Sequence, residues 1–264
     1  MRGPRLLRWQ YVVREVLGSG SAGKVFLLQN RFTGRKAADN ANRRQAKVTV
    51  ATRNIALLRE YVLGRILDHP HIIKTHDAFK SEDNYYFKLD CLEGFDLLHY
   101  IKLNGPLAEI EARTLFRQMI SAVGYLHANH VAHRDIKPEN MIYDWHHHTC
   151  VLIDFDIATF FTPERPASEI VGTPVYMAPE LLQRQLYRPS HADLWALGVT
   201  LFATVRGCFP WSHSDMAQLV RMVSCEPLPE PFWFSLDMQE LLQGMLSKNS
   251  KDRWDLTVIA SCAW

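Results

Sequence analysis

His133-Arg134-Asp135-Ile136-Lys137-Pro138-Glu139-Asn140, followed by Asp154-Phe155-Asp156, is the stretch on which the reading of this chain turns. It sets an acid, a lysine, an amide and a second acid at the spacing that phosphoryl transfer uses. Asp135 can orient a hydroxyl nucleophile and accept its proton. Lys137 can neutralise charge on the moving group. Asn140 and Asp154 can supply oxygen ligands to a divalent ion bridging phosphates. One carboxylate, one amide oxygen and phosphate oxygens form a hard donor set, which suits Mg²⁺ rather than zinc.

Further motifs follow in order: Gly18-Ser19-Gly20-Ser21-Ala22-Gly23-Lys24-Val25 upstream, then Gly172-Thr173-Pro174-Val175-Tyr176-Met177-Ala178-Pro179-Glu180, Asp193-Leu194-Trp195-Ala196-Leu197-Gly198 and Arg253. A lone G-x-G-x-x-G is weak, since dinucleotide-binding folds use it too. The whole set resembles the catalytic domain of eukaryotic-type serine/threonine protein kinases. Val171–Glu180 and Gly207-Cys208-Phe209-Pro210-Trp211 look most like the calmodulin-dependent kinase-like group. The resemblance implies an α+β, bilobal protein-kinase fold, with a small, mainly β N-lobe carrying one key helix and a larger α-helical C-lobe. It makes 1–264 a single kinase domain, with the N-lobe at about 1–92 and the C-lobe at about 93–264.

Composition agrees. The chain of 264 residues is long enough for two lobes and hardly longer, which leads to the expectation of a bare catalytic domain. Hydrophobic content of 47% and charged content of 22% are those of a soluble globular protein. Thirty basic against 28 acidic residues excludes the basic excess of a nucleic-acid binder. Arg2, Arg5 and Arg8 read as a solvated end. Leu6-Leu7 is too short for a signal-peptide core, and no apolar run reaches membrane-spanning length. The five cysteines, Cys91, Cys150, Cys208, Cys225 and Cys262, are odd in number and widely spaced. They are expected to be buried free thiols in a reducing compartment, hence an intracellular protein, cytoplasmic and/or nuclear; separately, a monomer is expected.

Hydrophobic periods predict strands at Tyr11–Leu17, Lys24–Gln29, Asn84–Leu92 and Val151–Asp154. They predict helices at Ile55–Leu67, Glu109–Asn129, Ala192–Arg206 and Met238–Leu246. Thr33-Gly34 marks a hairpin turn. Within Glu109–Asn129, Leu115, Met119, Ile120, Val123 and Leu126 fall on the buried side. His146-His147-His148 reads as an exposed turn, because consecutive histidines on a tight hairpin cannot all face one ion.

Glycines 18, 20 and 23 let backbone N–H groups approach phosphate oxygens. The resemblance places Val25 on the adenine of ATP and adds Leu17 and Ile142 to the nucleotide set. It makes Leu89 the gatekeeper, Asp90 and Leu92 the backbone partners of the base, and Asp96 a neighbour of the ribose. Glu60 fits the helix glutamate that pairs with a third-strand lysine holding the α- and β-phosphates. That lysine has two registers. Spacing from Thr33-Gly34 gives Ala38 as the adenine roof and Asn40 at the lysine position. Strand chemistry instead selects Gln45-Ala46-Lys47-Val48-Thr49-Val50 and so Lys47. Losing one preorganised charge costs about 10²–10³ in rate. Asn40 therefore implies a crippled enzyme and Lys47 an ordinary one.

Other departures lean toward a loosened switch. Asp156 stands where the family has a glycine able to adopt positive φ. Gly64 and Thr75 replace larger apolar residues that stack with Phe155 and His133, leaving a thinner stack. Lys137 and Gly172-Thr173-Pro174 resemble serine/threonine rather than tyrosine kinases, with Thr173 expected to hydrogen-bond Asp135 and Lys137. Glu139 and Asp96 are placed to accept a basic residue upstream of the target hydroxyl. Glu169 occupies the usual phosphothreonine position and is expected to pair with Arg134, with Ser168 and Thr162 as candidate phosphosites. Glu180 and Arg253 are expected to form a buried pair, and Asp193 to receive backbone donors from the catalytic loop. The two functional readings are a serine/threonine kinase using ATP and Mg²⁺ on protein substrates, and a pseudokinase acting as a binding or allosteric module.

Overall fold

Period-two segments fill the first third of the chain and helical segments most of the rest. The folded chain divides accordingly. A computed structural model describes residues 11–20, 23–30, 46–52, 55–81, 84–229 and 234–264. One compact unit is Met1–Glu93 with Asp154–Asp156; the other is Gly94–Ile153 with Ile157–Trp264.

The first unit is an antiparallel sheet with one helix. Its strands are β1 (Tyr11–Gly20), β2 (Gly23–Asn30), β3 (Ala46–Thr52), β4 (Thr75–Ser81) and β5 (Asn84–Asp90), in the order β1-β2-β3-β5-β4. β1 runs three residues further than the alternation predicts. Gly20 pairs with Gly23, and the register shifts between Val16 and Gly18. Glycine accepts such a bulge without a Cβ to displace. β3 pairs Lys47 with Leu27 on one side and with Leu89 on the other. The helix α1 (Ile55–Ile66) lies against β5 through Tyr61, which stacks on the buried Phe87 at 5.7 Å between ring centroids. Thr33-Gly34, Ala38 and Asn40 lie outside the described residues.

The two positions expected to thin the stack, Gly64 and Thr75, meet in this unit. Gly64 and Thr75 are both buried, and a Cβ on Gly64 would fall on the Thr75 hydroxyl, with Thr75 Cβ at 2.8 Å. Thr75 thus fills the space that a larger residue at 64 would take.

The second unit is mainly helical. β6 (Phe95–Asp96) leads into α2 (Leu97–Asn104), α3 (Glu109–Ala128) and β7 (Val131–Ala132). β8 (Met141–Asp144) and β9 (Thr149–Leu152) form a hairpin, with β6 pairing on β8, while β10 (Thr159–Phe160) pairs with β7. Then come α4 (Pro179–Leu182), α5 (Pro189–Arg206), α6 (Met216–Cys225), α7 (Leu236–Met245) and α8 (Leu256–Ser261). α3 is amphipathic, burying Leu115, Met119, Val123 and Leu126 while Ile120 is half-buried. α5 is apolar around most of its circumference and is buried from Ala192 to Thr204, as a core helix must be. Gly207 caps it in the left-handed conformation, φ 70°.

Three expectations change. The strand before the second acid ends at Leu152, so Asp154 stands beyond it at φ 67°. Left-handed backbone therefore falls on Asp154, not on Asp156; a short polar side chain tolerates that region. Only Cys150 is fully buried: Cys208, just after the α5 cap, and Cys225, at the end of α6, are exposed, and none of the five is in a disulfide. The histidine triplet is exposed, as expected, and Asp144 shapes its turn by accepting the His146 and His147 N–H groups.

Arg253 is closed from solvent and forks onto Glu180, Nη1 to Oε1 at 2.6 Å and Nη2 to Oε2 at 2.9 Å. It also donates to the carbonyls of His191 and Ser247. Glu180→Ala would leave a buried cation without its counter-charge. It should destabilise the chain by about 3–5 kcal/mol in denaturant titration. Gly64→Leu should cost about 1–3 kcal/mol by overpacking, and adding Thr75→Ala should recover part of that loss in the same measurement.

Candidate active site

The turn after β7 is shaped by one carboxylate. Asp193, on the first half of α5 and 1% exposed, takes the His133 N–H on Oδ2 (2.9 Å) and the Arg134 N–H on Oδ1 (2.8 Å). His127 Nε2, from the end of α3, lies 2.9 Å from Oδ2. These bonds hold Arg134 at φ 68°, in the left-handed region. The neighbouring Gly172 (φ 111°) has to be glycine, since a Cβ there would come within 2.6 Å of the Arg134 carbonyl oxygen.

Beyond that turn the candidate catalytic side chains meet. Lys137 Nζ donates to Asp135 Oδ2 at 2.7 Å and to Thr173 Oγ1 at 2.8 Å. Thr173 Oγ1 in turn donates to Asp135 Oδ1 at 2.8 Å. Asn140 Nδ2 donates to the Asp135 carbonyl at 2.9 Å and to its Oδ2 at 3.1 Å. Asp135 thus receives three side-chain donors, and a carboxylate offers about four acceptor positions, so one position remains for an incoming hydroxyl. Asn140 spends its amide N–H on Asp135, which leaves its carbonyl oxygen as the group with ligand chemistry. A bond from the Ile153 N–H to the Asn140 backbone carbonyl (2.9 Å), with His133 Nε2 at 3.0 Å from the Ile153 carbonyl, ties the β8–β9 region to this loop.

In the first unit, Glu60 on α1 is pushed up to about 7, first by burial and then by the negative charges of Asp154 and Asp156. Asp154 Oδ1 accepts the Asp156 N–H at 3.4 Å. Lys47 stands on the described third strand; Leu89 and Asp90 lie on β5 beside it in the sheet order, and Leu92 follows them. Leu17, Gly18 and Gly20 are on β1, with Gly23 and Val25 on β2. In the second unit, Ile142 is on β8, and Asp96 caps α2 through the His99 N–H at 2.8 Å.

Along the stretch from Asp154 to Glu180, which the resemblance makes the activation segment, Arg134 Nη1 meets Glu169 Oε2 at 2.8 Å and Arg134 Nε donates to the Ile157 carbonyl at 2.7 Å. Tyr187 donates its hydroxyl to the Glu169 carbonyl at 2.8 Å. Glu139 accepts from the Tyr176 hydroxyl at 3.3 Å. Two contributions escaped the sequence reading. His127 is the third partner of Asp193; its place near the end of a buried helix face was the available signal. The bonding of Asn140 to Asp135 was hidden, because metal ligation alone explained the amide.

The protein kinase domain family matches residues 11–264. The chain is 32% identical over 262 residues to CBL-interacting protein kinase 28 of Oryza sativa subsp. japonica, covering 98% of this chain and 60% of that protein. It is 33% identical over 258 residues to NUAK family SNF1-like kinase 1 of Homo sapiens, covering 98% and 39%. It is 32% identical over 262 residues to serine/threonine-protein kinase ppk25 of Schizosaccharomyces pombe, covering 99% and 62%. The chain therefore spans between 39% and 62% of the length of these relatives. CBL-interacting and SNF1-like kinases fall in the calmodulin-dependent kinase-like group that Val171–Glu180 resembles. With its acid, lysine, threonine and amide bonded into one set and its match running from Tyr11 to Trp264, this chain belongs to the protein kinase domain family.

Proposed function

We propose that this chain is a serine/threonine protein kinase that transfers the γ-phosphoryl group of ATP to protein hydroxyls with Mg²⁺. The reading is carried by one observation: Asp135 is held by Lys137, Thr173 and Asn140 with an acceptor position to spare. Asp135 orients the substrate hydroxyl and takes its proton as the oxygen attacks. Lys137, bonded to both Asp135 and Thr173, offsets charge at the transferring group, and Thr173 shapes the hydroxyl pocket. The donor chemistry of the Asn140 carbonyl and the Asp154 carboxylate fits a hard cation, and these two residues would hold Mg²⁺. When bound, that ion supplies neutralisation of phosphate charge. Lys47 is the proposed phosphate-holding lysine, with Glu60 as its partner. Gly18, Gly20, Gly23, Val25, Leu17, Leu89, Asp90, Leu92, Asp96 and Ile142 are the proposed nucleotide contacts.

We further propose substrates with an upstream basic residue, met by Glu139 and Asp96, and an intracellular, monomeric protein. Free thiols at all five cysteines support a reducing compartment. In the activation segment, Glu169 stands in for a phosphate on Arg134, with one negative charge where a phosphate carries nearly two.

A second reading, a nucleotide-binding module with weak or no phosphotransfer, is favoured by Glu60, whose charged form is disfavoured first by burial and then by the negative charges of Asp154 and Asp156. A partly protonated Glu60 grips a lysine less well. Phosphate transfer to a peptide panel, measured alongside nucleotide affinity, separates the two. Asp135→Asn should lose about 10²–10⁴-fold in rate while still binding nucleotide. Lys47→Met should lose about 10²–10³-fold. Asp156→Gly, by removing one of the two charges on Glu60, should raise the rate, and Glu169→Ala should lower it. A parent chain that binds nucleotide but modifies no peptide makes the second reading correct. Equal rates for the parent and Lys47→Met, with Asp135→Asn inactive, would remove Lys47 from the phosphate site.

A further inference from the structure

Lys248 follows α7 by three residues, on the loop that also carries Arg253. Its Nζ is closed from solvent and has no hydrogen-bond partner among the described residues. It sits 3.2 Å from the centroid of the Trp211 ring and 5.4 Å from that of Trp195. The two indoles stack at 5.6 Å, 16° apart, and Arg253 lies over the Trp195 ring at 5.0 Å. Arg253 has Glu180 as its counter-charge; among the described residues, Lys248 Nζ meets ring faces and no hydrogen-bond acceptor. The Trp195 N–H is likewise buried without a partner.

An ammonium in that position has given up its hydrogen bonds to water. A ring face returns only part of that loss. A neutral amine loses far less on the same transfer, so the site discriminates between the two forms by desolvation.

The surroundings decide where a charged Lys248 would go. At the end of α6, Cys225 and Glu226 act on it electrostatically and favour its charged form. Glu226 is held by Arg221 at 3.3 Å and is partly exposed. From the α5 side the charged groups are the neutralised Arg253–Glu180 pair and His191, whose Nδ1 lies 3.1 Å from the Ser250 carbonyl. On the loop itself, Lys251 is exposed and Asp252 is engaged by Asn249. Among the described residues, Glu226 is the carboxylate that acts on Lys248 and favours its charged form.

Trp211 is a junction. Its indole N–H donates to the Pro227 carbonyl at 3.1 Å. Phe209, two residues earlier in the same turn, meets Tyr176 edge-on at 5.3 Å, and the Tyr176 hydroxyl reaches Glu139 of the catalytic loop.

We propose that Lys248 is a proton-operated latch on the Trp195–Trp211 pair: the neutral amine stays seated under Trp211, whereas the ammonium leaves toward Glu226 and frees the turn that carries Phe209 and Trp211. No electron or group is transferred; one proton moves between solvent and the amine. Burial holds the Lys248 amine at about 7. The folded value lies below that of the unfolded chain, near the ordinary lysine value of about 10.4, so the unfolded chain binds the extra proton in between. Stability should therefore rise with pH from about 7 to about 10 on account of this residue, and not change on its account below about 7.

The test needs no catalytic activity, so its outcome is separate from that of the kinase reading. The side-chain ¹³Cε signals of the lysines are titrated by NMR in the whole chain, and thermal unfolding is followed for the parent and Lys248→Met. The expected result is one lysine signal, absent from Lys248→Met, that titrates near neutrality. The unfolding midpoint of the parent should lie several degrees below that of Lys248→Met near about pH 6.5 and converge on it by about pH 9.5. Should Lys248→Met fail to fold, assignment of the titrating signal in the parent decides alone. A Lys248 signal titrating with the other lysines near about pH 10 overturns the proposal, as does a parent-to-variant difference in midpoint that does not change with pH.

Discussion

A single buried carboxylate bears the shape of the candidate active site. Asp193 bridges the core helix α5 to the turn after β7 by taking two successive backbone N–H groups, and His127 meets it from α3. Without an acceptor there, two donors would be stranded in a region closed to water, at about 1–3 kcal/mol each. The left-handed backbone of Arg134, the glycine at 172 and the inward aim of Asp135 all follow from that anchorage. A helix buried over most of its length thus carries the carboxylate around which this polar loop is built.

Much of this was legible in the chain itself. Asp135, Lys137 and Asn140 lie within six residues of one another, so a local motif was enough to bring them together. Thr173 is 36 residues beyond Lys137, yet its own motif marked it. The buried pair Glu180–Arg253, the bonding of Arg134 to Glu169 and the exposure of the histidine turn were read correctly for the same reason: each lies in a segment with its own recognisable pattern.

What stayed hidden depends on contacts that no local period encodes. Gly64 reads as a missing side chain until Thr75, on the next strand, is seen to fill the place. Asp156 invites a strain argument because glycine is usual there, but the unusual backbone lies two residues earlier. Cysteine count describes burial poorly, since a cap and a helix end leave Cys208 and Cys225 in solvent. Two competing registers for the third strand arise because 36–45 is too polar to favour a strand; Ala46–Thr52 is the β3 strand that pairs with both β2 and β5.

Glu169 is 71% exposed at its side chain while its partner Arg134 is 5% exposed. An anion written into the gene cannot be withdrawn by a phosphatase, so this clamp has no chemical eraser. It has a physical one. Ionic strength screens a solvent-facing carboxylate, and a cationic surface laid over the segment competes for it outright. Salt and a competing cationic surface can therefore weaken this pair where dephosphorylation cannot.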